Sequence, residues 1–445
     1  MMRLAWPVVA AELGWMFMGV VDTVMVGRLS PEAIGAVGMS STIFLALGIF
    51  GMGLLLGLDT LVAQAFGAGS LEACHRWLVQ GAWLAILATP PIVLATYAMA
   101  ATMPLWGMHP AVLALAQPYL AVVAWSALPL LLYAAFRRYL QALNLVRPVM
   151  FAVVSANIIN MGANWLLIFG NWGFPALGAV GAAWATVLSR TYIALVLGGV
   201  VVVRGWRTGL LAAPRRMHAE DLRRILALGG PAALQLVAEV GVFAVVTALA
   251  ARLDPIALAS HQIALNVASV SFMVPLGVAS AGAVRVGHAV GRRDAAGASR
   301  SGWTAIALGV GFMAVAAFTF VTTPGPLVSL FSLDPAVIAT GVSLLLIAAA
   351  FQLFDGLQAV TTGVLRGLGD TRTPMLSNLA GHWLLGLPIS YVLCFQAGWG
   401  VVGLWIGLSL GLVTVALVLL AAWSTRIATL RRVGVRAEAG LRRFP

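Results

Sequence analysis

Long apolar runs, broken at regular intervals by Gly, Pro and Arg, make up almost all of this 445-residue chain. A helix needs about 20 apolar residues to cross the hydrocarbon of a bilayer. Twelve runs meet that length, at about 4–27, 33–57, 77–101, 111–134, 149–169, 176–203, 225–251, 257–284, 302–322, 336–365, 374–396 and 400–424. The seventh is organised around one residue: from Ile225 to Ala251 its only ionisable side chain is Glu239, near the middle. A carboxylate at the centre of a spanning helix costs about 2.5–3.5 kcal/mol on insertion scales. A polar cavity, a bound cation or a proton has to offset that.

Composition supports the same class. The chain is 61% hydrophobic and 9% charged, with a mean hydropathy of +1.00, whereas a soluble domain carries about a quarter charged residues. This predicts an all-α polytopic membrane protein, its twelve helices in two six-helix lobes related by a pseudo-two-fold axis along the membrane normal. The net charge of +12 would suggest nucleic acid in a soluble chain; here the arginines fall between spans, so they report topology and no nucleic-acid partner is expected. Loops after even-numbered spans hold Arg76, then Arg137, Arg138 and Arg147, then six arginines between Arg204 and Arg224. Later even loops add Arg292, Arg293, Arg300, Arg366 and Arg372, and the tail is basic, whereas the opposite loops offer Arg28 and Arg252. By the positive-inside rule both termini are cytoplasmic. Cys74 and Cys394 are too few for a disulfide framework, and MMRLAW runs into the first span with no small-residue cleavage site.

The basic stretch 204–224 divides the chain in half. An ungapped offset of 224 pairs Pro7 with Pro231, Thr23 with Thr247, Arg28 with Arg252, Pro31 with Pro255, Gly53 with Gly277 and Gly67 with Gly291. Six spans per repeat is even, so the two repeats share one orientation, a transporter signature with the substrate path between lobes. The expected organisation is a lobe over 1–203, a cytoplasmic loop over 204–224, a second lobe over 225–424 and a tail over 425–445.

Five acids lie within spans: Glu12, Asp22, Asp59, Glu239 and Asp355. Glu239 and Asp355 fall near mid-depth on the first and fourth helices of the second half. Gln235 shares the helix face of Glu239; Phe351 and Gln358 flank Asp355 at four and three residues. Two carboxylates converging beside an aromatic ring suit an organic cation, Na⁺ or a shared proton. Asn266 is a further polar residue of this half. In the first half, Asp22 matches in depth Asn157, Asn160 and Asn164, spaced for one helix face, and Thr186. Asp59 reads as helix-end structure, and Glu12 lies about 80° around the helix from Asp22, so the two need not act together. His261, Gln262, His288 and His382 read as packing or interhelical contacts. Gly367-Leu368-Gly369-Asp370 fits the GxGD pattern of intramembrane aspartyl proteases, but sits in a loop that parallels 140–148 of the first half.

WPVVAAELGWMFMGVVDTVMVG (6–27), LDTLVAQAFGAG (58–69), NMGANWLLIFG (160–170), RVGHAVGRRD (285–294) and FQLFDGLQAVTTGVLRGLGDTRTPM (351–375) resemble the MATE family, the multidrug and toxic compound extrusion transporters, in its NorM-like bacterial branch. The resemblance covers all twelve spans and implies drug efflux against inward Na⁺ or H⁺. It implies that the functional acids of the seventh and tenth helices are Glu239 and Asp355. The acid of the first helix falls on Asp22, and the first-lobe Asn pair and Thr on Asn160, Asn164 and Thr186. Phe351 stands where relatives can carry Tyr, and Glu12 where an amide or small residue is usual, so the coupling ion is not selected.

The expected function is a secondary antiporter that exports amphipathic or cationic drugs from a bacterial inner membrane by alternating access. It needs no cofactor beyond its coupling ion, could ligate Na⁺ at Glu239, Asp355 or Asp22, and works as a monomer. A lipid-linked saccharide flippase is the rival; it would need basic residues in its cavity, and only Arg190 lies away from a helix end. An intramembrane enzyme would need a nucleophile or metal constellation at one depth, which the sequence lacks.

Overall fold

The computed structural model describes residues 2–107, 109–210 and 216–441. Among these every regular element is helical, and twelve helices are long and apolar enough to span a bilayer. In chain order they are α1 (Leu4–Val26), α2 (Pro31–Gly67), α3 (Leu71–Trp106), α4 (Pro110–Ala142), α5 (Val146–Phe169) and α6 (Ala179–Trp206). The second half supplies α7 (Ala219–Ala250), α8 (Pro255–Gly291), α9 (Ala295–Thr322), α10 (Pro335–Leu368), α11 (Arg372–Gln396) and α12 (Gly400–Arg432). The chain is a multi-pass membrane protein.

Several spans run past their expected ends. The helix of α6 continues to Thr208 and α7 starts at Ala219, so the loop expected over 204–224 is shorter; its residues 211–215, with Arg215, lie outside the described residues. The helix of α12 runs on to Leu441, into the expected tail, whose Arg442 and Arg443 lie outside them too. Arg137 and Arg138, expected in a loop, belong to α4. Charged residues end an apolar run in sequence, but a helix goes on while its backbone bonds and side-chain partners allow.

The 224-residue offset is written into the turns. Ser30 Oγ accepts from Ala33 N at 3.1 Å to cap α2, and Asp254 Oδ1 accepts from Ala257 N at 2.7 Å to cap α8. Each cap is followed by proline at the first helical position, where a missing N–H costs nothing. Ser70 caps α3 through Ala73 N, and Asp294 caps α9 through Gly297 N. Before these caps the chain turns through a left-handed residue, Gly69 at φ 82° and Arg293 at φ 60°. Ser70 N and Asp294 N then close the turns on the Ala65 and Ala289 carbonyls at 3.0 and 2.8 Å.

The repeat is not uniform. α2 breaks into Pro31–Leu54 and Gly57–Gly67, and α4 breaks at a 3₁₀ turn over Ala124–Ser126, whereas α8 and α10 are continuous. In the second half, α11 contains π-helical turns over Leu379–Gly386 and Val392–Gln396. Small residues bring helices close there: a Cβ on Gly367 of α10 would meet the Ala283 carbonyl of α8 at 2.6 Å, and Gly386 of α11 faces Gly411 of α12. Close backbone approach of this kind holds helices together where lipid removes the hydrophobic drive.

The chain forms two compact units, Ala10–Ala233 and Met1–Val9 with Leu234–Pro445. The break therefore does not fall at the basic loop. Gly57 and Gly229 explain the first unit's extent: a Cβ on Gly57 would lie 2.6 Å from the Ile225 carbonyl, and Gly229 abuts the Leu54 carbonyl. Val9 belongs with the other unit because Gly277 packs on its backbone, 3.0 Å from a Cβ placed there. Residues 9 and 233 are themselves 224 apart, so the first turns of α1 and the first half of α7 depart from their own repeats in the same way.

Candidate functional site

In the C-terminal unit, α7, α10 and α11 bring their polar residues together. Asn378 Nδ2 donates to Glu239 Oε2 at 3.4 Å, and Gln235, one turn earlier on α7, is within hydrogen-bonding reach of the same carboxylate. Asp355 lies in the electrostatic field of Glu239. Among the described residues no arginine pairs with either acid. Trp383 Nε1 donates to the Ala238 carbonyl at 3.0 Å and so fixes α11 against α7 beside Glu239. Asn378 flanks the π-helical stretch of α11 and Trp383 lies within it; such wide turns recur at functional positions. Asn378 escaped sequence reading because one amide in an apolar run carries no partner information.

The remaining candidates of this half are less united. Phe351 faces Trp405 of α12 with ring centroids 5.8 Å apart. Together with His261 and His382 these rings line a cavity of about 20 Å³, room for a single water. His382 is buried and neither of its ring nitrogens has a partner, which suits that water. His261 is committed: Trp405 Nε1 donates to its Nδ1 at 3.0 Å, and Nε2 meets Thr247 Oγ1 at 2.9 Å. Gln358 is buried with its Oε1 unpaired. Asn266 and Gln262 lie on an exposed face of α8, so the structure does not gather Asn266 with the acids.

The N-terminal unit holds a tighter cluster. Asn164 Nδ2 donates to Asp22 Oδ1 at 2.6 Å and to Asn160 Oδ1 at 3.1 Å, and Thr186 Oγ1 donates to Asp22 Oδ2 at 3.2 Å. Asn160 and Asn164 lie one turn apart on α5, so the amide that bonds Asp22 is also bonded to its neighbour. Asn157 corrects the expectation: its Nδ2 donates to the Gly14 and Val153 carbonyls at 2.9 and 2.8 Å, so it ties α5 to α1 and leaves the cluster. Two residues outside the sequence-based set reach this site. Tyr119 of α4, bonded to Ser41 at 3.0 Å, and Arg190 of α6 both interact electrostatically with Asp22. Arg190 follows Thr186 by one turn, a relation visible in sequence, whereas Tyr119 has no such signal.

Two other acids take structural partners. Glu12 forms a buried ion pair with Arg137 of α4. Asp59 Oδ2 accepts from Arg138 Nη1 at 3.3 Å, the helix-end contact expected of it. Asp370 of the GxGD stretch caps α11, accepting from Thr373 N at 3.0 Å and from Arg426 Nε at 3.2 Å.

The MatE family model matches residues 7–166 and 231–392. A probable multidrug resistance protein NorM of Mesorhizobium japonicum is 39% identical over 439 residues, covering 96% of this chain and 93% of that protein. The protein of that name from Bradyrhizobium diazoefficiens is 36% identical over 429 residues, covering 92% and 89%. A crystal structure of MATE in a bent conformation superposes with a TM-score of 0.89 at 20% identity, covering 97% of this chain and 96% of the other. A eukaryotic MATE transporter does so at 0.87 and 22%, covering 97% and 98%. These relatives and neighbours are named as resistance proteins and transporters, not enzymes. With most of both halves matched by the family model, and relatives above 30% identity along nearly their whole length, the chain belongs to the MatE family of membrane transporters.

Proposed function

We propose that this protein is a secondary antiporter of a bacterial inner membrane, exporting amphipathic and cationic drugs in exchange for H⁺ or Na⁺. One observation carries the reading: Glu239 and Asp355 interact within one unit, with no arginine paired to either among the described residues. Two acids without a fixed counter-charge in an apolar surround favour a mobile cation, be it drug, proton or metal ion. Gln235 and Asn378 supply polar atoms to Glu239, while Gln358 and Phe351 share the helix of Asp355. The Asp22 cluster with Asn160, Asn164 and Thr186 is the second coupling site. The names of the relatives, multidrug resistance proteins, support the substrate class. The protein works as a monomer, with no cofactor beyond its coupling ion. A transmembrane potential supplies about 2.3 kcal/mol per charge and 100 mV, enough for tens-fold accumulation.

Purified protein in liposomes is expected to export a fluorescent cation when either a pH or a Na⁺ gradient is imposed alone. Asp22→Asn should abolish the gradient-driven export and leave equilibrium binding of that cation measurable. Export that ignores both gradients would end the antiport reading.

The orientation has its own test. Arginine-rich loops after even-numbered spans support a cytoplasmic location for both termini by the positive-inside rule. A single cysteine introduced in 216–220 is therefore expected to react with an impermeant maleimide in inside-out vesicles and not in intact cells. Labelling from the outside would invert the topology.

A further inference from the structure

Arg190 is a guanidinium in mid-span, and its surroundings explain what it does to the Asp22 site. Thr186, one turn before it on α6, donates to Asp22 Oδ2 at 3.2 Å, so Arg190 leaves the same helix face. It is anchored away from the carboxylate: Nη1 donates to Ser126 Oγ at 2.7 Å, and the cation sits over the Phe44 and Trp15 rings at 5.0 and 5.8 Å. The 3₁₀ break of α4 at Ala124–Ser126 presents that serine. Arg190 makes no ion pair with Asp22, yet it interacts with Asp22 and with Tyr119, the other titratable group in reach. Ionised Asp22 and Arg190 are thus balanced, unlike the pair of acids in the C-terminal unit.

We propose that Arg190 is a cation-specificity residue that bars metal cations from the Asp22 cluster and leaves it a site for protons alone. The inference rests on the antiport reading above and names the ion at one of its sites. Any added cation gives this buried site a net positive charge beside a fixed guanidinium. A proton withstands that because it forms a covalent O–H bond to the carboxylate. Na⁺ forms no such bond to offset the fixed charge, and it must also compete with the donors already on the carboxylate. Asp22 Oδ1 and Oδ2 are already met by an N–H and an O–H donor, from Asn164 and Thr186. The buried Asn164 Oδ1 accepts no hydrogen bond, so an acceptor stands ready for the hydroxyl of a protonated Asp22.

The test is equilibrium binding of radioactive Na⁺ to the full purified chain, in a Glu239→Gln, Asp355→Asn background that removes the C-terminal acids. This background is expected to bind no more Na⁺ than the same protein with Asp22→Asn added. Adding Arg190→Gln should create about one Na⁺ site per chain, lost again with Asp22→Asn, while Arg190→Lys, which keeps the charge, should create none. A site in the background that Asp22→Asn abolishes would overturn the proposal, and this arm needs no Arg190 variant to fold. So would an Arg190→Gln protein without a new site, or a Lys variant that gains one as readily. Failure of antiport shows instead in liposome export, which this binding measurement does not use.

Discussion

Glu239→Gln and Asp355→Asn are each expected to lower export of a cation at least tenfold, with the double variant barely worse than either single one. The amides keep the shape and hydrogen-bonding capacity of the acids and delete only charge. Asn378 and Gln235 can still bond the position-239 side chain, so folding should survive. Removing an unpaired buried charge relieves desolvation and leaves no orphaned partner. On the proposed reading Glu239 and Asp355, which lie in each other's electrostatic field, share one proton or cation, so loss of either acid removes the common site. Independent sites would give losses that multiply, since separate free-energy terms add. Initial export rates from liposomes, normalised to protein inserted, decide it. Near wild-type export by both single variants would refute the assignment of these acids.

The repeat and the spans were legible because their signals are local. A 224-residue offset in Pro, Gly and Arg reappears as matched caps at Ser30 and Asp254 and matched turns at Gly69 and Arg293. Asn160, Asn164 and Thr186 were legible for the same reason: helix period sets their faces, and depth sets their level. What sequence withholds is which side chain of a distant helix completes a site. Asn378 meets Glu239 across 139 residues, and Arg137 meets Glu12 across 125. Asn157 shows the converse error, since sharing a helix face with Asn160 and Asn164 did not place it on Asp22; the nearby Gly14 carbonyl competed for its amide. Arg137 and Arg138 look like topogenic loop charges because their buried partners lie elsewhere in the chain.

Those partners also separate two kinds of intramembrane acid, and Glu12 gives the sharper test. Arg137 approaches Glu12 with both terminal nitrogens, Nη1 reaching Oε2 at 3.4 Å and Nη2 bonding Oε1. Nη1 also donates to Tyr133 Oη at 3.1 Å, and the Tyr133 ring stacks on Trp15 at 5.2 Å between centroids. The pair is therefore held from α1 and α4 inside the N-terminal unit, with both side chains buried. Breaking a buried pair from one side strands a charge at a cost of about 3–5 kcal/mol, whereas replacing both members by neutral groups of similar size is often neutral or favourable. Glu12→Gln alone is thus expected to lower the melting temperature by roughly ten degrees, taking a few degrees per kcal/mol for a unit of this size. Adding Arg137→Met should return most of that loss. Thermal unfolding in one detergent at one scan rate measures both. Glu239→Gln, which strands no arginine, should melt near the wild-type temperature under the same conditions. Should Glu12→Gln melt there too, the Glu12–Arg137 pair contributes little to stability, and the contrast between acids paired with arginine and acids without one fails.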